Sequence, residues 1–231
     1  MEQEVSVIIP VYNGSKYLRE AIASVLQQEQ AALEILVVDD GSSDQSAAVA
    51  AEFGTSVRVI GQEHRGAGAA RNSGVRNSTG ELLAFLDCDD HWAPAKLARQ
   101  LACLQSKPSL DVVFTHLINF LSPDLTAQER LQVLCPSEPF PGVSASTMLI
   151  RRSSFERIGP FPEDVAVGEF VPLLARAHDL GLEIEMLPEV LAYRRLHASN
   201  LGRLKKANRI DYVRMLKQVL KKRSDSGQSA A

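Results

Sequence analysis

The sequence predicts an α/β protein: one domain with a mostly parallel central sheet flanked by helices, followed by a basic C-terminal helix. Three observations carry that prediction. Near-continuous apolar runs recur at Val5-Ser6-Val7-Ile8-Ile9, at Ile35-Leu36-Val37-Val38 and at Leu82-Leu83-Ala84-Phe85-Leu86, the pattern of strands buried on both faces. The order strand, helix, strand, helix, strand over the first sixty or so residues is that of parallel strands joined by right-handed crossovers. No internal repeat or linker divides the body, so residues 1–202 read as one domain, 203–223 as a basic amphipathic helix and 224–231 as a disordered tail. With 231 residues, 45% hydrophobic and 23% charged, the chain has the composition of a soluble globular protein large enough to bury a real core.

Taken in order, the β-branched run that opens at Val5 is closed by the turn residues Asn13 and Gly14. Ser15 is a good N-cap for a helix with Tyr17, Leu18, Ile22, Val25 and Leu26 at helical spacing. A second strand, 34–38, ends in Asp39-Asp40-Gly41-Ser42-Ser43-Asp44. The next helix, roughly 44–53, begins there, and 57–60 forms a third short strand. Residues 66–74 read as a flexible loop entering a helix. Gly66 and Gly68 imitate a dinucleotide-binding fingerprint, but its third glycine position holds Arg71 and no strong strand directly precedes it. Arg71 is either free to face a phosphate or nucleobase or an ordinary helix-surface residue.

The apolar run 82–86 leads into Asp87, Asp89 and Asp90. Three carboxylates in four positions then sit at the C-terminal end of a strand, where open α/β sheets place their ligands. Along an extended chain Asp87 and Asp89 point one way and Asp90 the other. Two carboxylates on one side form a hard, oxygen-only site suited to Mg²⁺ or Mn²⁺ carrying a phosphate; the alternative is a loop of solvated acids. Beyond them, Pro94 fits the first turn of a helix with Leu97, Leu101 and Leu104 at helical spacing. Residues 111–115 form a strand, and 122–142, rich in Pro and polar groups, an irregular surface excursion placed to contact an acceptor. A strand at 145–151, a short helix at 153–158, a helix running from 168–172 through Leu180 to a stop at Gly181, and a last strand at 183–187 complete the body. Tyr193-Arg194-Arg195-Leu196-His197 then bring cations back toward an acidic protein.

Charge is unevenly spread. Residues 1–202 hold 16 Lys and Arg against 26 Asp and Glu, whereas 203–223 hold nine against Asp211 alone. In the basic segment Ile210, Val213, Leu216 and Leu220 recur at helical spacing. The helix either lies on an anionic membrane surface or docks on the body with a solvated basic side. So local a basic cluster on so acidic a body argues against nucleic acid as a partner. Cys88, Cys103 and Cys135 are odd in number and far apart, which fits a reducing compartment rather than a disulfide framework or a zinc site. The N-terminus has acids where a signal peptide needs positive charge, and no apolar run reaches membrane-spanning length. The expected location is cytoplasmic, with peripheral contact to the inner face of the membrane if 203–223 lies on it. No Gly-Lys-[Ser/Thr] loop is present, which excludes a P-loop NTPase. A nucleotidyltransferase would want a Gly-rich loop with Lys near the first strand, and Pro10-Val11-Tyr12-Asn13 is not that.

Five segments in order carry a family resemblance: Val7-Ile8-Ile9-Pro10-Val11-Tyr12-Asn13, Val37-Val38-Asp39-Asp40-Gly41-Ser42, Ala70-Arg71-Asn72, Leu86-Asp87-Cys88-Asp89-Asp90, and Gly168-Glu169 with Arg195 and His197. Over most of residues 5–200 the chain resembles the family two glycosyltransferases, nucleotide-sugar enzymes with the GT-A fold. The resemblance implies a single GT-A-type domain that takes a nucleotide-diphosphate sugar donor and an acceptor hydroxyl on a glycan, a lipid-linked carrier or a small molecule. It puts Pro10 and Tyr12 in the nucleotide site, with the Tyr12 ring against the nucleobase and Asp39 or Asp40 accepting from a ring N–H; Tyr12 as plain core is the competing reading. Asp87 and Asp89 look like the family's Asp-x-Asp pair. By that likeness Asp89 ligates Mn²⁺ or Mg²⁺ and Asp87 contacts the ribose or shares the metal. His197 either completes the metal shell or is a surface group, and Arg71 and Arg195 add positive charge on the phosphates. Inverting transfer also needs a carboxylate to take the acceptor proton. Many members carry Glu-Asp at that point, whereas this chain reads Gly168-Glu169-Phe170. Glu169 is then the remaining candidate base, or else it only favours a helix N-terminus through the dipole. Phe170 in place of an acid keeps open a second function, a nucleotide-sugar-binding module without catalysis.

Overall fold

A computed structural model describes residues 4–164, 168–198 and 200; the basic segment 203–223 and the tail 224–231 lie outside them. Strands β1 (Val5–Val11), β2 (Glu34–Asp39), β3 (Arg58–Gly61) and β4 (Leu82–Phe85) pair in parallel. The second half adds β5 (His91–Trp92), β6 (Val112–Leu121), β7 (Phe140–Gly142), β8 (Leu149–Arg151) and β9 (Ile184–Leu196). All nine form one sheet of order β3-β2-β1-β4-β8-β6-β9-β5, with β7 paired to β6. β8 runs antiparallel to both β4 and β6, and β9 is parallel to β6. The parallel half therefore ends all its strands on one edge, and that edge carries the site.

Period-two alternation explains why the central strands are apolar throughout. In β1, Val7 and Ile9 enter one core cluster with Leu18 and Ile22 of α1 (Ser15–Leu26). Ala50 of α2 (Ser46–Ala51) joins the same cluster. Ile8 enters the other with Ala70 of α3 (Ala67–Asn77). In β4, Leu82 and Ala84 face the first cluster and Leu83 and Phe85 the second. Leu97, Leu101 and Leu104 of α4 (Lys96–Ser106) complete the first face. A short α5 (Ala127–Gln132) lies in the surface excursion. Phe155 of α6 (Arg152–Ile158) and Leu173 of α7 (Phe170–Asp179) complete the second face. Each fully buried side chain of this size contributes about 1.5–3 kcal/mol. Helix α3 packs unusually close: a Cβ on Gly74 would stand 2.4 Å from Ile8 Cγ2, and one on Gly68 2.3 Å from the Pro162 carbonyl oxygen. Of the two glycines that imitated a dinucleotide fingerprint, Gly68 thus serves close packing against Pro162, whereas Gly66 turns the chain into α3 at φ +93°.

Several elements differ from the expectation. Ser15 does not cap α1: the N–H groups of Gly14 and Ser15 donate instead to Ser46 Oγ and Asp44 Oδ2, each at 3.0 Å. The helix expected at 44–53 shortens to α2 and a 3₁₀ turn at Gly54–Ser56. Residues 122–142 are not wholly irregular, because Thr126 and Glu129 form a capping box for α5 and β7 pairs with β6. The strand expected at 145–151 is a 3₁₀ turn, Ala145–Thr147, followed by β8. The last strand continues past Leu187 because a register shift passes over Pro188 and Glu189, so that Thr115 faces Leu187 and His116 faces Val190. β5 is too short to leave a sequence pattern. Among the described residues no helix is long and apolar enough to cross a membrane.

Candidate functional site

The edge where β1, β2 and β4 end gathers the acidic and aromatic residues singled out in the sequence. Pro10 is buried within β1 opposite Val38, and the side chain offered at this end is that of Tyr12, the residue just after the strand. Tyr12 is 46% exposed and stacks on His64, with ring centroids 3.8 Å apart and planes 20° apart. It is not core. Asn13, at φ +50°, holds this corner by accepting from the Ser43 N–H at 2.8 Å through Oδ1.

Of the two acids ending β2, Asp40 is committed to the protein. Its carboxylate accepts from Gln62 Nε2 at 2.7 Å, Arg65 N at 2.9 Å and Gly66 N at 2.7 Å, and meets His64 Nδ1 at 2.8 Å. Asp40 thereby shapes the loop that opens α3. Asp39 is also buried, 8% exposed, and its carboxylate accepts from Ser42 N at 2.9 Å.

The Asp-x-Asp segment is a turn rather than extended chain, since Asp90 N donates to Asp87 O at 3.0 Å. Asp90 does point inward, but through the turn and not by strand alternation. It accepts from Arg195 N at 3.0 Å and Ser146 Oγ at 3.1 Å. Burial, and then the charges of Asp89 and Asp87, push its carboxyl well above the usual range. Cys88 packs beneath the turn against Gly14, and burial followed by the neighbouring carboxylates raises its thiol well above its ordinary value. A Cβ on Gly14 would lie 2.7 Å from Cys88 Sγ and 2.9 Å from Val11 Cγ2. Gly14→Ala is therefore expected to lower stability by about 1–3 kcal/mol, seen as a drop in thermal midpoint; an unchanged midpoint would refute the tight packing under the turn.

The remaining residues converge on this turn from distant parts of the chain. Asp89 Oδ2 lies 2.9 Å from His197 Nε2 and accepts from Asn200 Nδ2 at 3.1 Å. Arg195 was expected as a phosphate-binding cation. It is buried between the rings of Tyr17 and Phe120, at 4.9 and 4.6 Å from their centroids, and paired with Glu20. Its Nε donates to the Asp89 carbonyl at 3.0 Å, so it supports the turn from beneath. Arg71 is not on a helix surface. It is 4% exposed, pairs with Glu169 Oε1 through one terminal nitrogen, and meets Asp87 Oδ1 at 2.6 Å through the other. Burial opposes its charge, but the carboxylates of Asp87 and Glu169 outweigh burial and raise its pKa above the ordinary value. Glu169 precedes α7 but makes no side-chain capping bond there. Phe170, half-buried, packs edge-on against Phe114 of the second core cluster, 5.9 Å between centroids.

Among the described residues no three or more His, Cys, Asp or Glu converge on one point. Asp89 and His197 offer one carboxylate oxygen and one imidazole nitrogen in contact. That donor set fits a divalent cation that keeps its other positions for phosphate and water.

A family model, glycosyl transferase family 2, matches residues 6–159. The chain belongs to that family. An uncharacterized glycosyltransferase of Rickettsia typhi is 34% identical over 172 residues, 70% of this chain and 54% of that protein. Glycosyltransferase AglE of Haloferax volcanii is 32% identical over 200 residues, 81% of this chain and 65% of that protein. The chain thus spans between about half and two thirds of the length of these relatives. S. aureus TarS in complex with UDP-GlcNAc superposes at a TM-score of 0.76 and 20% identity, covering 94% of this chain and 65% of that one. The mannosyltransferase PcManGT of Pyrobaculum calidifontis, in complex with GDP-Man and Mn²⁺, superposes at 0.68 and 23% identity, covering 96% and 64%. This likeness is one of fold, and the GT-A-type domain expected from the sequence is the architecture found.

Sequence reading missed His64, Asn13, Glu20, Ser146 and Asn200. Asn13 alone left a signal, as a turn residue directly after Tyr12; the others act through contacts between distant segments.

Proposed function

We propose that this member of glycosyl transferase family 2 is an inverting enzyme moving a sugar from a nucleoside-diphosphate sugar to an acceptor hydroxyl. The observation that carries the reading is the sharing of Arg71 by Asp87 and Glu169. It joins the acid turn of the donor end to Glu169, the carboxylate we assign as base. The exposed Tyr12 ring offers a face for the nucleobase, and Asp39 an acceptor for its N–H. Asp89 and His197 would hold Mn²⁺ or Mg²⁺, which when bound supplies Lewis-acid stabilisation of the departing diphosphate. Glu169 takes the proton of the acceptor hydroxyl as that oxygen bonds to the anomeric carbon, opposite the breaking bond to the diphosphate. The Mn²⁺ and GDP-Man bound to PcManGT and the UDP-GlcNAc bound to TarS support this donor and metal class.

The test is release of nucleotide and transfer of sugar from UDP-GlcNAc and GDP-Man, with Mn²⁺, Mg²⁺ or chelator, across a panel of acceptors. Metal-dependent release is the expected result. Phe170, half-buried against the core at the point where an acid was looked for, supports a second reading, the nucleotide-sugar-binding module. Saturable nucleotide binding without sugar release under any of these conditions would favour it. Tyr12→Ala is expected to weaken UDP or GDP binding by about 1–3 kcal/mol, roughly 5- to 150-fold, the worth of one base–aromatic stack. Calorimetry reads this directly, and an unchanged Kd would remove Tyr12 from the site.

A further inference from the structure

We infer that Arg71 is the positioning residue for Glu169: one guanidinium sets the proposed base in register with the Asp-x-Asp turn. This rests on the reading of Glu169 as base. The geometry behind it begins in α3. Gly68 and Gly74 bring that helix against Pro162 and Ile8, so Arg71 starts from a fixed, buried backbone and reaches the sheet edge through the protein interior. Its two terminal nitrogens go to different carboxylates, Glu169 Oε1 and Asp87 Oδ1, while Nε is buried without a hydrogen-bond partner. The side chain thus gives up one of its donors in order to span the two acids. The Phe161 ring, 5.5 Å from the guanidinium carbon, supports it from the side.

Glu169 needs such a partner. Gly168, at φ +91°, turns the chain just before it, and Phe170 is fixed against Phe114 just after it. The backbone is therefore held on both sides, yet the carboxylate makes no capping bond to its own helix. Its side chain is 14% exposed, and the ion pair to Arg71 is what directs it. A planar fork can hold two carboxylates at a set separation, which a lysine, as a single point charge, cannot. With Asp87 anchoring its other end, Arg71 acts on the reaction through Glu169, not as a phosphate ligand.

The experiment compares Arg71→Lys, Arg71→Met, Glu169→Gln and the Arg71→Met/Glu169→Gln double variant, using UDP-GlcNAc and GDP-Man with Mn²⁺. For the two Arg71 variants we expect kcat to fall by roughly a hundredfold, the cost of a misplaced reacting group, with the Kd for UDP and GDP unchanged. The double variant should be no slower than Glu169→Gln alone, because a residue acting only through Glu169 has nothing further to lose. A loss of nucleotide affinity in step with kcat/KM would overturn the proposal in favour of phosphate binding. Losses that multiply in the double variant would overturn it in favour of an independent role. Crystal structures of the wild type and Arg71→Met give a readout that needs no turnover. Displacement of the Glu169 carboxylate in the variant supports the proposal, and a carboxylate that keeps its place overturns it. If Arg71→Met does not fold, Arg71→Lys is read the same way, with one of the two acids expected to be released. A normal rate in Glu169→Gln would overturn the base, whereas the crystal comparison still decides whether Arg71 places that carboxylate.

Discussion

Asp89→Ala is expected to lower turnover by at least about a hundredfold while leaving the fold intact. Charge stabilisation of a leaving diphosphate supplies several kcal/mol, and about 1.4 kcal/mol corresponds to each factor of ten in rate. The turn itself should survive. Arg195 Nε binds the Asp89 carbonyl, which alanine retains, and Asp90 keeps its bonds from Arg195 N and Ser146 Oγ. What disappears is the carboxylate that meets His197 Nε2 and accepts from Asn200 Nδ2. Binding of UDP or GDP should then lose its dependence on Mn²⁺, while the metal-independent part, carried by Tyr12 and Asp39, persists. Calorimetry with and without Mn²⁺ separates the two parts. Mn²⁺-dependent binding as strong in Asp89→Ala as in the wild type would refute the assignment of this acid to the metal.

How far such residues can be read from sequence depends on whether their partners are local. The runs through Val7, Val37 and Leu83 were legible as central strands because burial on both faces leaves no polar positions to confuse the pattern. The length of β9 was not legible, because Pro188 reads as a stop and only pairing with β6 shows that the ladder passes over it. Residues 145–147 have the composition of a strand but close a turn through the Ser144 and Thr147 hydroxyls. In the site, Tyr12, Asp87 and Asp89 announce themselves through their neighbours in sequence. For a charged residue, sequence does not tell whether the charge is left for a ligand or used within the protein. Asp40 and Arg195 were both read as ligand-facing, and both are engaged by the chain itself. Arg71 shows the same limit from the other side. Its partner Glu169 lies 98 positions away, and no local pattern joins them.

Glu169→Gln is expected to lower kcat by about 10²–10⁴-fold, the usual worth of a positioned general base, with nucleotide affinity unchanged. The substitution keeps the side chain's shape, and the glutamine Oε1 can still accept from Arg71, so the guanidinium retains a partner there while Asp87 holds its other end. Only the capacity to take a proton is removed. This makes the variant more informative than Glu169→Ala, which would also leave Arg71 with an unpartnered nitrogen in a buried place and disturb the acid turn through it. Measured side by side with a saturating donor, the glutamine variant should lose kcat alone, whereas the alanine variant should also lose thermal stability. A glutamine variant that transfers sugar at the wild-type rate would refute Glu169 as base. Phe170 could not take over, since it carries no titratable group and is packed against Phe114; the proton acceptor would then have to lie outside the Gly168-Glu169-Phe170 corner.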